Sequence, residues 1–193
     1  MKAIENREMS TENTEIQEYT LTVFCENKTG LLARIVAVIT RRHYNIESLT
    51  ASPSSTEGIF RFTIMVRVTE EQVRKLAKQI DKQIDVLKVF YYTNDEIIYQ
   101  EIALYKIPTK VFYNSNVVET LVRKHNARVL AIEEEYIVIE KTGHQADTEA
   151  LLDAFKDLGV YEFVRSGRVA IVKPMERLNN YLKSLEQEFV SKN

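Results

Sequence analysis

The chain has 193 residues, 45% of them hydrophobic and 28% charged, which is typical of a globular protein. A net charge of −2 argues against bulk attraction to nucleic acid, and no apolar run reaches the roughly 18 residues of a membrane-spanning helix. The single cysteine, Cys25, excludes an internal disulfide, and we expect a buried, inert thiol rather than a nucleophile. Without the apolar region of a secretory signal, the chain is expected to be cytoplasmic.

The first half of the sequence predicts the element order β-α-β-β-α-β over residues 18–93, after a disordered polar lead-in at 1–17. Alternating apolar and polar residues predict four strands, at 19–25, 45–51, 60–68 and 84–92. One helix is predicted after Gly30, and a second is predicted to be capped by Thr69, with Gln72 completing a capping box. The apolar stripe of the first helix is predicted to be Leu32, Ile35, Val36 and Ile39.

After a break at 93–96, the second half repeats this order over residues 97–173. Strands are predicted at 97–107, 128–134, 135–141 and 160–172. One helix is predicted to follow a cap at Asn114 or Ser115, and the next is predicted to carry the apolar residues Leu151, Leu152, Phe155 and Leu158. A last helix, 174–193, follows Pro174 with an apolar seam at Met175, Leu178, Leu182, Leu185 and Phe189. The fold class is therefore α+β, two ferredoxin-like units with a C-terminal helix.

No stretch of the sequence has the spacing of a catalytic or metal-binding motif, whether GxGxxG, P-loop, HExxH, GxSxG or paired CxxC. The histidines are scattered, and a surface position is the expected environment of each: His43, His125 and His144. Five glycines leave little backbone for cradling phosphates. We predict no catalytic centre, metal or cofactor in this chain; an enzyme with an unrecognised site is the alternative.

Binding chemistry is indicated at the two ends of the first helix, in "ENKTG" and "YNIESL". The N-terminus of a helix offers free N–H groups, and Gly30, without a Cβ, lets an anion approach them. Asn27 and Asn45 can exchange hydrogen bonds with a zwitterion, Asn45 from the same chain or from a second copy. The alternative is purely structural: Asn27 forms the turn, Gly30 allows tight packing and Asn45 lies in a loop.

These segments resemble the effector-binding segment of ACT domains, and more narrowly that of acetolactate synthase regulatory (small) subunits. The family pattern is close to E-N-x-x-G-x-L-x-R-[VI], followed by G-Y-N-I-E-S-L-x-[VA]-x-P. The matching residues are Glu26, Asn27, Gly30, Leu32, Arg34, Ile35, Tyr44, Asn45, Ile46, Glu47, Ser48, Leu49 and Pro53. Further segments resemble the family at 81–89, at 101–107 and at 164–171, "VRSGRVAI".

The resemblance implies an effector site for a branched-chain amino acid, most often valine, at an interface between the ACT domains of a homodimer. Carried over by position, the site residues are Asn27, Gly30, Leu31, Asn45 and Ile46, with Ile46 rather than Tyr44 as the apolar wall. It also implies a partner, the catalytic (large) subunit, which carries thiamine diphosphate, a divalent metal and often FAD. The regulatory chain activates that subunit and confers feedback inhibition in valine, leucine and isoleucine biosynthesis.

The sequence departs from the family pattern in three places. His43 stands where the family usually has glycine, the loop "PTKVFYN" replaces a longer charged stretch, and the tail extends beyond Pro174. A stand-alone ACT-type sensor of another enzyme or a transcription factor is the other interpretation. The resemblance of residues 97–172 to the synthase subunit argues against it.

Overall fold

The computed structural model describes residues 15–114 and 116–173. The predicted lead-in up to residue 14 and the predicted helix at 174–193 lie outside the described residues, as do Ser115 and the side chain of Asn114.

Residues 17–92, here called the first unit, form a four-stranded antiparallel sheet in the order β2-β3-β1-β4, with two helices packed on one face. Its elements are β1 (Gln17–Glu26), α1 (Leu31–Thr40), β2 (Ser48–Pro53), β3 (Ile59–Val68), α2 (Glu70–Asp81) and β4 (Val86–Tyr92). The predicted element order is confirmed. Thr69 and Gln72 form the predicted capping box at the start of α2.

Residues 97–172, the second unit, repeat this topology with the sheet order β6-β7-β5-β8. Its elements are β5 (Ile97–Pro108), α3 (Thr109–Asn114), α4 (Val117–Lys124), β6 (Arg128–Ile132), β7 (Tyr136–Gly143), α5 (Gln145–Phe155), β8 (Glu162–Arg165) and β9 (Val169–Val172). The prediction of one closing strand was wrong, because β8 and β9 are separate and pair with different parts of β5. The short helix α3 was not predicted, and α4 begins after Asn116, with no side-chain cap.

Each unit has its own hydrophobic core between its sheet and its helices. In the first unit, α1 contributes Leu31, Ile35 and Ile39 as fully buried residues, and Leu32 packs against the same core while partly buried, so the predicted stripe is confirmed at Ile35 and Ile39 but omitted Leu31. Cys25 is buried in this core, where desolvation raises the pKa of its thiol to about 11. The thiol therefore stays protonated at neutral pH, and the prediction of an inert buried cysteine is confirmed.

The two units touch where the chain runs from β8 into β9, residues 166–170. This segment, here called the crossing segment, lies on the outer face of the first sheet, opposite the helices. Arg61 of β3 donates to the carbonyl of Ala170 at 2.5 Å, and Arg168 donates to Thr20 of β1 at 3.0 Å. Threonines that would face solvent on an open sheet are consequently buried here, among them Thr20 and Thr22.

Candidate effector site

The turn between β1 and α1 positions the first half of the predicted site. Asn27 is exposed, and Gly30 is the N-cap residue of α1 with φ 83°, a left-handed conformation that a side chain disfavours. A Cβ built on Gly30 would meet no atom within 4 Å. The glycine is therefore explained by its backbone angle and not by tight packing, and the space in front of it is open.

The N-terminus of α1 leaves main-chain donors free. The N–H of Leu31 donates to Lys28 and that of Arg34 to Gly30, but within the described residues those of Leu32 and Ala33 have no main-chain acceptor. No side chain caps the helix, and its first turn contains no acidic residue. The positive end of the helix dipole is thus uncompensated, which favours an anion such as a carboxylate at this turn.

The second half of the predicted site precedes β2. Asn45 is exposed and its side-chain N–H donates to the Glu47 carboxylate at 3.0 Å. Ile46 is half-buried and packs with one edge against the core of the first unit. Leu31, by contrast, is 1% exposed, so its side chain belongs to the core and only its backbone lies at the turn.

His43, which stands in place of the family's usual glycine, adopts φ 57°. Glycine enters this left-handed region without penalty, whereas a histidine is strained there. The turn after α1 thus has the conformation that glycine favours, held by hydrogen bonds from His43 N–H to Thr40 and from Tyr44 N–H to Ile39.

Within one chain, the two halves of the predicted site lie at opposite ends of the first sheet. Glu26, just before the Gly30 turn, ends β1, whereas Glu47 donates to Met65 of β3, which pairs with Thr20 of β1. Thr20 and Glu26 are six residues apart, which is about 20 Å along a strand. A single amino acid is too small to span that distance, so the fold does not bring Gly30 and Asn45 of the same chain together.

The strand order suggests how the halves can meet. β2 is an edge strand, and its last residue, Pro53, pairs with Phe60, which in turn pairs with Cys25 next to the Gly30 turn. If the β2 strands of two copies lie side by side and antiparallel, the Asn45 end of one copy reaches the Gly30 end of the other. The topology is therefore compatible with a site shared by two copies.

Sequence reasoning assigned no role to Arg168, a charged residue that the fold buries between the two units. It lies inside "VRSGRVAI", a segment that resembles the family at 164–171. The signal that could have marked it is the pairing of glycine and arginine in the middle of an otherwise alternating strand.

No three side chains of His, Cys, Asp or Glu are grouped closely enough to hold a metal ion in residues 15–114 and 116–173. Over the same residues, no helix is both long and apolar enough to span a membrane.

Comparisons with known proteins match both units to one family. A model described as an AHAS small subunit-like ACT domain matches residues 21–88, and a model of the small subunit of acetolactate synthase matches residues 100–174. The acetolactate synthase small subunit of Bacillus subtilis (strain 168) is 38% identical over 155 residues, 80% of this chain and 88% of that protein. That of Mycobacterium leprae (strain TN) is 36% identical over 153 residues, 79% of this chain and 90% of that protein.

Among solved structures, the crystal structure of the acetolactate synthase small subunit from Thermotoga maritima matches with a TM-score of 0.75 and 26% sequence identity. The match covers 83% of this chain and 100% of that one.

Proposed function

The chain belongs to the family of acetolactate synthase small subunits, and we propose that it activates the catalytic subunit and makes it sensitive to feedback inhibition by a branched-chain amino acid. It is a regulatory rather than a catalytic subunit. The expected partner is a thiamine-diphosphate-dependent enzyme of the cytoplasm that acts in the synthesis of valine, leucine and isoleucine. Valine is the effector that we propose.

The proposed effector site lies between two copies of the first unit. The carboxylate of valine accepts from the free N–H groups of Leu32 and Ala33, beside Gly30 of one copy. The ammonium group is held by side-chain and main-chain oxygens, including that of Asn27, and Asn45 of the other copy closes the site. Ile46 offers its exposed edge to the isopropyl group. The observation that supports this proposal is that Gly30 and Asn45 lie at opposite ends of the first sheet, in which β2 is an edge strand.

The proposed docking surface for the catalytic subunit is the outer face of the second sheet. Three outward residues of β5, at positions 98, 102 and 104, are apolar and exposed, with the polar Gln100 among them, and apolar residues of β8 and β9 lie beside them. The set consists of Ile98, Ile102, Leu104, Val164, Val169 and Ile171, here called the apolar face. A contiguous group of this kind is larger than the isolated apolar residues of ordinary surfaces and is typical of a protein-binding site.

A complementation experiment tests the shared site. Gly30→Asp places a carboxylate on one half, and Asn45→Trp blocks the other half with bulk at an exposed position. Either variant alone is expected to lose valine inhibition of the reconstituted enzyme, because every site in its homodimer carries the change. In a mixed dimer of the two variants one site carries both changes and the other carries neither, so inhibition is expected to return in part.

The result that contradicts this proposal is equally specific. If the site lies within one chain, the mixed dimer contains no intact site and remains insensitive to valine. If the wild-type chain neither activates the catalytic subunit nor binds valine in calorimetry, the proposed function itself is wrong. A stand-alone sensor is disfavoured, because residues 100–174 match the synthase small-subunit model.

A further inference from the structure

The crossing segment is built against the strand that follows the Asn45 loop. Gly167 approaches β2 so closely that a Cβ would lie 2.4 Å from Thr50 Oγ1 and 2.7 Å from the carbonyl oxygen of Leu49. One residue later, the main-chain N–H of Arg168 donates to Ser48 Oγ at 2.8 Å. Ser48 is the first residue of β2, three positions after Asn45. A displacement of the Asn45 loop would therefore move the crossing segment directly, through its contacts with Ser48, Leu49 and Thr50.

The side chain of Arg168 continues the contact into the interior. It is 1% exposed, and its Nη1 donates to Thr20 at 3.0 Å and to Asn94 at 2.9 Å, while Nη2 donates to Glu18 at 3.1 Å. Its guanidinium carbon lies 3.7 Å from the ring centroid of Tyr99. A charge this deeply buried is maintained only by its partners, which come from the first unit, from the connection at 93–96 and from β5 of the second unit.

A second carboxylate faces Arg168 from the second unit. Glu101 of β5 is 3% exposed and lies 3.9 Å from Arg168 Nε, too far for a hydrogen bond. Nε is correspondingly buried without an acceptor in the described residues. A small rotation of the guanidinium would bring Nε to Glu101 and loosen the bond to Glu18. The observed arrangement favours Glu18 in the first unit, and an arrangement that favours Glu101 in the second unit requires only this rotation.

Glu101 leads onward to the helix layer of the second unit. Its other oxygen lies 3.2 Å from Nε of Arg165, and Nη1 of Arg165 lies 3.0 Å from Glu149 on α5. Polar contacts therefore connect Ser48, Arg168, Glu101 and α5 in series, and the contact between Arg168 and Glu101, at 3.9 Å, is the one that is too long for a hydrogen bond.

We propose that Arg168 is the positioning residue that couples the effector site of the first unit to the second unit, by exchanging its pairing between Glu18 and Glu101. Effector binding at the Asn45 loop shifts Ser48, and the crossing segment passes the shift to β5 and α5. This inference rests on the proposed function and adds the route by which the bound effector changes the second unit. Coupling of this kind needs an element that can adopt two arrangements, and in this proposal Arg168 is that element.

The test separates effector binding from inhibition in the full-length chain. Arg168→Lys keeps the charge but loses the forked geometry, and Glu101→Gln keeps the shape but loses the second carboxylate. Ser48→Ala removes one hydrogen bond at a partly exposed position and serves as the mildest change. The matched control is Glu119→Gln, which breaks an exposed ion pair with Arg123 on α4, away from the contact between the units.

For the folded variants we expect valine to bind the isolated chain as it binds the wild type in calorimetry. The valine concentration for half-maximal inhibition of the reconstituted enzyme should rise about tenfold, or maximal inhibition should fall, with Ser48→Ala affected least. Glu119→Gln should behave as wild type in both assays. A purely structural role for Arg168 would not separate the two readouts.

Two results would overturn the proposal. If every folded variant binds valine and is inhibited by it as the wild type is, Arg168 does not couple the units. Loss of binding together with inhibition would show that Arg168 supports the effector site itself. A wild-type chain that fails to bind valine would instead contradict the proposed function, so the two failures are distinguishable.

Discussion

The outer faces of the two sheets differ although the two units share one topology. On the first sheet, the outward residues of β1 and β3 include threonines that are buried under the crossing segment, Thr20, Thr22 and Thr63. On the second sheet, three outward residues of β5 are apolar and uncovered in the described residues, Ile98, Ile102 and Leu104, of which Ile98 is 56% and Ile102 47% exposed. Polar groups on the outer face of the first sheet are thus buried within the chain, whereas apolar side chains on the outer face of the second sheet remain at the surface.

This difference indicates a division of labour. The hydroxyl of Thr20 on the first sheet accepts from Arg168, and Arg61 of the same sheet donates to the carbonyl of Ala170, so directional bonds fix the two units relative to each other. The side chains of the apolar face form no hydrogen bonds, and a surface of this kind is stabilised by the hydrophobic effect when a partner buries it. We therefore expect changes in the two units to have separable effects, on effector response in the first and on activation in the second.

The largest effect is expected for Ile102→Asp, at the centre of the apolar face. If the catalytic subunit covers this face, the variant buries an unpaired carboxylate, which costs about 3 kcal/mol and weakens the association about 100-fold. Activation should be lost at ordinary subunit concentrations and recovered in part at high excess, while valine binding to the isolated chain is unchanged. The measurement is acetolactate formation as a function of small-subunit concentration.

The control for Ile102→Asp is Val117→Asp, since Val117 of α4 has the same exposure, 46%, outside the apolar face. It should activate as wild type. Equal losses of activation in the two variants would show that the apolar face is not the docking surface.

Gly30→Asp should have the opposite effect to Ile102→Asp, weakening valine binding while leaving activation unchanged. Its carboxylate occupies the place of the effector's own and repels it, so valine binding should weaken at least about tenfold, whereas activation is retained. The left-handed backbone at Gly30 adds a strain of about 1 kcal/mol to folding, offset in part by the helix dipole. Calorimetric titration with valine and inhibition curves provide the two measurements.

Gly58→Asp is the matched control, because Gly58 also has positive φ, 77°, and open space around a built Cβ. It carries the same strain without facing the effector. An unchanged affinity in folded Gly30→Asp would show that valine does not bind at this helix.

The contact between the units predicts a pH dependence through Glu18. Burial raises the pKa of the Glu18 carboxyl, but hydrogen bonds from Asn94, Arg67 and Arg168 outweigh it and hold the pKa below its ordinary value. The ionised group therefore stabilises the folded state above about pH 4.3, its unfolded pKa, and this contribution is lost as the pH falls through the folded pKa.

Glu18→Gln is accordingly expected to be less stable than wild type by roughly 1 kcal/mol at pH 7, and the gap should narrow as the pH falls below about 4. Urea unfolding at a series of pH values measures both. Glu57→Gln, in the exposed loop between β2 and β3, is the control and should match wild type throughout. A difference between Glu18→Gln and wild type that is independent of pH would contradict the assignment.

The sequence predicted those parts of the fold that depend on local patterns. Alternation located β3 and β5, and Thr69 with Gln72 located the start of α2, because strand period and capping are properties of neighbouring residues. The break between β8 and β9 was missed, because it occurs where Gly167 packs closely against Thr50 of β2. A contact between residues so far apart in the sequence is not encoded in any local pattern. The stripe of α1 was predicted correctly at Ile35 and Ile39, but Leu31 was missed, since either of the adjacent leucines at 31 and 32 can share a helix face with Ile35.

The candidate site divides in the same way. The resemblance and the helix-start chemistry predict Gly30 and Asn45 as site residues, but the roughly 20 Å between their ends of the sheet follows only from strand order and register. Arg168 could not be assigned from sequence, because its partners lie about 70 to 150 residues away along the chain.

The smallest effect is expected for His43→Gly, at the turn that leads from α1 to Asn45. Histidine in the left-handed region costs about 1–2 kcal/mol relative to glycine, whereas glycine loses about 0.5–1 kcal/mol more entropy on folding. The variant should therefore gain about 0.5–1 kcal/mol of stability in urea unfolding, with unchanged activation because the apolar face is untouched. A loss of stability would show that the exposed His43 side chain makes a favourable contact that outweighs the strain of its backbone.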